Sequence, residues 1–160
     1  MPQVTGVECV EKWLCVDDLS RLDEAQRLYE GSLAKIEARL GKFKSRPRVV
    51  FCSTADCFAK FGFDKAAGNS IGGFGVVIAP RGWTPYYIEH ELIHQWQSST
   101  FGSIAVWRAP AWVIEGMAYA LSDDPRTKLS EPFQSYREEF SHTFGDLGGQ
   151  ELVLALSKEI

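Results

Sequence analysis

Positive charge is in short supply in this chain of 160 residues, where 17 Lys and Arg stand against 21 Asp and Glu for a formal net charge of −4. Nucleic-acid binding leaves an electrostatic footprint of clustered cations, so no nucleic-acid partner is expected. Long apolar runs are missing too. Nothing approaches the ~20 residues that cross a bilayer, and no membrane span is expected. The first residues, Met1-Pro2-Gln3-Val4-Thr5, carry neither the basic region nor the apolar stretch of a secretory leader. That favours the cytoplasm, with an extracytoplasmic location following if the sequence begins inside a longer precursor. No internal repeat or low-complexity segment is visible, which leaves one domain of ordinary globular composition.

Cysteine is sparse and lacks the usual zinc-knuckle spacing. Cys9 and Cys15 are separated by five residues, Cys52 and Cys57 by four, and neither pair makes a C-x-x-C. Apolar neighbours such as Val50, Phe51 and Phe58 predict buried free thiols. Disulfides and a second metal site are the alternatives.

Histidine is scarcer still: there are three, and two of them fall in His90-Glu91-Leu92-Ile93-His94. On a helix, residues four apart share a face, so both imidazoles can address one metal ion. Glu91 lies between them, rotated off their axis, where it can reach a water beside the metal without displacing a ligand. This is the H-E-x-x-H arrangement of zinc and a general base. A catalytic zinc takes three protein ligands, so a third is required. Glu115 is the best candidate. It is the only charged residue between Arg108 and Asp123, and a carboxylate among apolar side chains is costly to bury unless it is paired or metal-bound. Gly116 beside it would let two helices approach closely. His142, flanked by Phe140 and Phe144, is a weaker candidate, and Asp123 and Asp124 precede Pro125, where turn roles are commoner. A third histidine ten positions after His90 would define another class of zinc peptidase; Thr100 stands there.

Hydrophobic periodicity supplies the frame. Leu19, Leu22, Tyr29, Leu33, Ile36 and Leu40 predict an amphipathic helix over 18–40, with Gly41 as its stop. Val49–Cys52 reads as a buried strand, 56–61 as a short helix, and the region of Gly68–Gly73 as loop. Phe74–Ala79 is a second strand. Thr84 and Pro85 announce a helix to about Ser98 by a capping hydroxyl and a first-turn proline. A loop is expected over 99–109, then helices over 110–121, from Pro132 to Phe144, and after Gly149. The fold class is α+β.

His90–His94 followed by Pro110-Ala111-Trp112-Val113-Ile114-Glu115-Gly116-Met117-Ala118 resembles the gluzincin superfamily of zinc metallopeptidases, in its small single-domain form. The resemblance covers about residues 74–124. It implies a zincin-like architecture: a small mixed sheet whose edge strand, Phe74–Ala79, lies over the active-site helix, and a helical C-terminal half. It implies an N-terminal helical segment over 1–45 before a catalytic core at 46–160, one catalytic Zn2+, metal ligands His90, His94 and Glu115, and Glu91 as catalytic base. The family stabilises its oxyanion with a Tyr or His, for which Tyr119, Tyr136 and His142 are available. Gly72-Gly73-Phe74-Gly75 lacks the glutamate with which aminopeptidase-type members hold a free amine. The expected activity is therefore endopeptidase cleavage of a peptide or protein substrate. The alternative is a zinc-bearing scaffold that turns nothing over, with residues 1–45 covering the groove; a purely structural site would have no use for Glu91.

Overall fold

A computed structural model describes residues 6–160. Five short strands form one mixed sheet: β1 (Glu8–Glu11), β2 (Leu14–Val16), β3 (Val49–Phe51), β4 (Gly68–Ile71) and β5 (Gly75–Ile78), in the order β1-β2-β3-β5-β4. The central three run parallel, with Leu14, Val49 and Val76 in register. An antiparallel strand closes each edge. The central strands are apolar at every position because both faces are covered. Leu14, Val16, Val49, Phe51, Val76 and Ile78 point into the main core. Cys15, Val50 and Val77 point the other way, into a smaller core with Cys57 and Phe58.

Seven helices carry the rest: α1 (Leu22–Leu40), α2 (Ala55–Lys60), α3 (Pro85–Phe101), α4 (Ser103–Arg108), α5 (Ala111–Leu121), α6 (Phe133–Phe144) and α7 (Gly149–Leu156). α1 buries Tyr29, Leu33, Ile36 and Leu40 at helical spacing, as its pattern predicts, whereas Leu19 lies before the helix and is exposed. The helix stops at Gly41, whose φ of 95° suits a residue without a Cβ. α3 lies in the middle, with Ile88, Leu92, Ile93 and Trp96 in the core.

The structure corrects several expectations. Phe74–Ala79 is not the edge of the sheet: β5 is hydrogen-bonded to β3 on one side and β4 on the other, and Phe74 sits in the turn before it. The edge strand is β4, in the stretch expected to be loop. The loop expected over 99–109 is helical on both sides of Gly102, whose φ of 90° separates α3 from α4. Pro85 does open α3, but Thr84 makes no side-chain capping bond. Residues 6–45 are not simply helical, since they supply the β1–β2 hairpin before α1, and β2 pairs with β3 of the core. Residues 1–5 of that segment lie outside the described residues.

The cysteines are not free thiols. Cys9 and Cys15 face each other across the β1–β2 hairpin and form one disulfide, and Cys52 and Cys57 form another between the end of β3 and the first turn of α2. The hairpin register sets the first pairing, and a strand pairing of that kind leaves no periodic trace in the chain. No helix among the described residues is long and apolar enough to cross a membrane.

Candidate metal centre

The site is assembled from two helices and one strand edge. His90 and His94 project one turn apart from α3, their Nε2 atoms 3.2 Å apart. Glu115, from α5, brings one carboxylate oxygen to 3.7 Å from His90 Nε2 and the other to 3.6 Å from His94 Nε2. Tetrahedral zinc with ligand distances of about 2.0–2.2 Å separates its donor atoms by about 3.3–3.6 Å. The three donors lie near that spacing and are only partly exposed. Among the described residues they are the one group of histidines, cysteines and carboxylates close enough to share an ion.

The chemistry of the donors supports the same use. Gln97, buried, donates its amide to Ile114 O at 3.0 Å and approaches Met117 Sδ at 3.4 Å, so its carbonyl oxygen is the atom 2.9 Å from His94 Nδ1. Nδ1 therefore carries the proton, and Nε2 turns its lone pair into the cluster. Burial holds the His90 pKa well below the usual range, with His94 and Arg126 adding to the effect, which favours the neutral imidazole a metal ligand needs. Two imidazoles and one carboxylate, all converging, fit a zinc ion.

Glu91 is 9% exposed and lines the same groove as the two histidines. Burial pushes its carboxyl pKa up to about 7; the Glu115 charge raises it further, while His94 and the backbone N–H of Ser70 draw it down. Gly68 makes room for it, because a Cβ there would stand 2.8 Å from Glu91 Cγ. Buried Gln95 holds the hairpin in place over α3: its amide donates to Ser70 Oγ at 2.7 Å and to the Gly75 carbonyl at 3.0 Å, and also bonds Gly72 O.

A groove of about 660 Å³ passes over these residues, bounded by Gly68, Asn69 and Ser70 on one wall and Val106, Trp107 and Ile114 on the other. A second lobe, about 190 Å³, lies beyond His90 and Glu91 and is lined by Tyr86, Tyr87, Tyr119 and Arg126. The Tyr119 ring meets His90 edge-on at 4.4 Å between centroids. Burial, with Glu115 beside it, raises its pKa. Arg126 is held by Asp124 through Nε contacts of 2.9 and 3.1 Å, and the same contact raises the guanidinium pKa. Tyr136 and His142 line neither cavity, and His142 is exposed on α6.

Glu115, Glu91, His90 and His94 thus come together where the motif spacing predicts. Gly116 serves a different contact from the one expected. It lies against α6, where a Cβ would stand 2.3 Å from Tyr136 O, so it brings α5 to α6 rather than to α3. Motif reading also misses Gln97, Ser70, Tyr86, Tyr87 and Arg126. Gln97 had a signal, since it is three residues from His94 and shares its helix face. Tyr86 and Tyr87 had the same kind of signal, four and three residues before His90 on α3, whereas Ser70 and Arg126 reach the site through tertiary contacts alone. Compared with family models, curated proteins and solved structures, the chain has no match.

Proposed function

We propose that this chain is a zinc-dependent endopeptidase. The observation that carries the reading is the convergence of His90 Nε2, His94 Nε2 and the Glu115 carboxylate beside a buried carboxylate, Glu91, that is not part of the ligand set. A purely structural metal site would gain nothing from burying Glu91. Zinc held there would polarise a carbonyl oxygen and acidify a water near neutral pH. Glu91 accepts the proton of the attacking water and delivers it to the departing amine nitrogen. Tyr119, from its place against His90, is the best located of the three oxyanion candidates. Arg126, behind it, adds positive charge to the same lobe.

The edge strand gives the substrate a place to lie. Ala79 N–H donates to Ala67 O at 2.9 Å, and pairs in an antiparallel ladder alternate between bonded and non-bonded. Asn69 and Ile71 therefore bond to β5, while Gly68 and Ser70 turn their backbone groups outward along the groove. An extended peptide can pair with the outward groups of Gly68 and the Ser70 carbonyl as an added strand, the Ser70 N–H being engaged by Glu91. No residue of 6–45 lines the groove, so that segment does not act as a cover. The two disulfides favour work in an oxidising compartment, in place of the cytoplasmic expectation.

Elemental analysis and hydrolysis of an N-acetylated quenched-fluorescence peptide test this together. About one zinc per chain is expected. Glu91→Gln should keep the zinc and abolish turnover, whereas Glu115→Gln should weaken zinc binding. Release of single amino acids from free peptides alone would replace the endopeptidase reading with an exopeptidase. Zinc bound without any turnover would leave the scaffold reading.

A further inference from the structure

Among the described residues, the three most exposed large apolar side chains lie on two elements that touch. Phe74, in the β4–β5 turn, is 86% exposed, and Ile104 and Trp107, three residues apart on α4, are 71% and 82% exposed. The turn reaches α4 at Ser103, whose Oγ is 3.6 Å from the Cβ position of both Gly72 and Gly73. One protruding apolar side chain is ordinary on a soluble surface, whereas a group of three on adjoining elements marks a contact face.

The surrounding charge selects the partner. From residue 66 to 88 the only charged residue is Arg81, and from 95 to 114 it is Arg108. Phe74 shares a cavity with Lys12, Phe43, Arg46 and Arg48, and the stretch Lys42-Phe43-Lys44-Ser45-Arg46-Pro47-Arg48 carries four cations and no carboxylate. Its connection to the turn is direct: the Arg48 carbonyl lies 2.8 Å from the Cβ position of Gly75, and Arg48 Nε donates to Lys12 O at 2.8 Å. Arg46 is taken up by Glu30 and Tyr29. Lys12, Lys42, Lys44 and Arg48 are exposed and form no salt bridge among the described residues. Two carboxylates come close to this end, Glu37 by accepting from the Phe43 N–H at 3.2 Å and Glu11 as the neighbour of Lys12, and the four exposed cations without a salt bridge outnumber them.

We propose that this face docks on an anionic lipid bilayer, with Phe74, Ile104 and Trp107 entering the interfacial layer and the cations of Lys12, Lys42, Lys44 and Arg48 lying against acidic headgroups. Apolar protrusions plus electrostatic attraction are the two components of peripheral binding, and neither alone anchors a protein firmly. Protruding side chains suit a deformable surface, whereas a protein partner would have to offer a fitted pocket to each. Trp107 also forms part of the groove wall, but the proposal invokes no metal and its test needs no turnover.

The oxidised full-length chain is mixed with vesicles of phosphatidylcholine alone and of phosphatidylcholine with roughly a third phosphatidylglycerol, and binding is read by co-sedimentation and tryptophan emission. Binding to the acidic vesicles should exceed binding to the neutral ones by about tenfold or more, weaken in high salt, and shift the emission of exposed Trp107 to the blue. Phe74→Ser with Trp107→Ser should lower acidic-vesicle binding about tenfold, and Lys42→Glu with Lys44→Glu should do the same while flattening the salt dependence. Circular dichroism checks that both variants stay folded. Equal binding to both vesicle types, no binding to either, or an unaffected Phe74/Trp107 variant would overturn the proposal. So would a lipid-free dimer lost on Trp107→Ser, which would make the face an interface between copies. Equally tight binding to a single-stranded oligonucleotide would overturn it as well.

Discussion

His94 and Gln97 are joined through Nδ1 and Oε1 at 2.9 Å, and the same glutamine donates to Ile114 O at 3.0 Å, next to Glu115. One buried side chain therefore fixes the tautomer of a histidine on α3 and ties that helix to α5, which carries the third donor. Outer partners of this kind commonly contribute about 10–100-fold to metal affinity. Gln97→Leu should lower zinc affinity by about that factor, measured by competition with a chromogenic chelator, with little change in far-UV circular dichroism. Unchanged affinity would mean that His94 orientation is set by packing alone.

The edge strand and Glu91, the proposed base, are in contact through Gly68. A Cβ at this position would meet Glu91 Cγ at 2.8 Å and Ile78 Cδ1 at 3.0 Å. Gly68→Ala should displace the carboxylate from its place beside the strand without touching any of the three donors. The expected result is full zinc content with kcat/KM reduced by about 10²-fold, the scale on which small misplacements act. If Gly68→Ala retained full activity, Glu91 would have to work from a different position.

The grouping of His90, His94 and Glu115 was legible because its signals are local: a four-residue spacing on a helix fixes His90 and His94 on one side, and a lone Glu115 in an apolar helix stands out. Helix α1 was legible for the same reason. Strand β4 was not, because Gly68-Asn69-Ser70-Ile71 has little intrinsic strand preference and is held by pairing with β5 and by Gln95 beneath it. The edge assignment failed with it, since a strand's neighbours are a long-range property. The β1–β2 hairpin was hidden likewise, and with it the meeting of Cys9 and Cys15. Arg126 reaches the site only because the chain folds back after α5, a path that no spacing encodes.

Close helix packing at Gly116 offers a stability test beside the metal site. Its Cβ position is 2.3 Å from Tyr136 O and 2.9 Å from Phe140 Cβ, and neither backbone nor a buried ring can yield cheaply. Gly116→Ala should therefore push α5 from α6 and destabilise the fold by about 1–3 kcal/mol, overriding the helix preference of alanine. In a domain of this size that is about 2–12 °C in Tm by calorimetry. Because Glu115 is the adjacent residue, zinc affinity should fall as well. A raised Tm would show that α6 can move aside.

Far from the metal, Tyr29 predicts a pH dependence of its own. The residue is fully buried in α1, its hydroxyl donates to Pro47 O at 2.8 Å, and Arg46 Nε donates to the hydroxyl oxygen at 3.2 Å. Burial pushes the phenol up to about 12, against the opposing influence of Arg46. A folded-state pKa above the ordinary value of about 10 means that the folded protein holds this proton more tightly than the unfolded chain does. The contribution is fully present below about pH 10 and is lost as pH rises from there towards 12, and the whole window amounts to about 3 kcal/mol. Tyr29→Phe should cost about 1–2 kcal/mol at pH 8, by loss of the bond to Pro47 O. It should also unfold with a shallower loss of stability between pH 9 and about 11 than the parent chain, measured by urea titration at each pH. The difference between the two curves isolates this phenol from the lysines that titrate in the same range. Parallel curves would show that Tyr29 ionises as readily inside the fold as outside it.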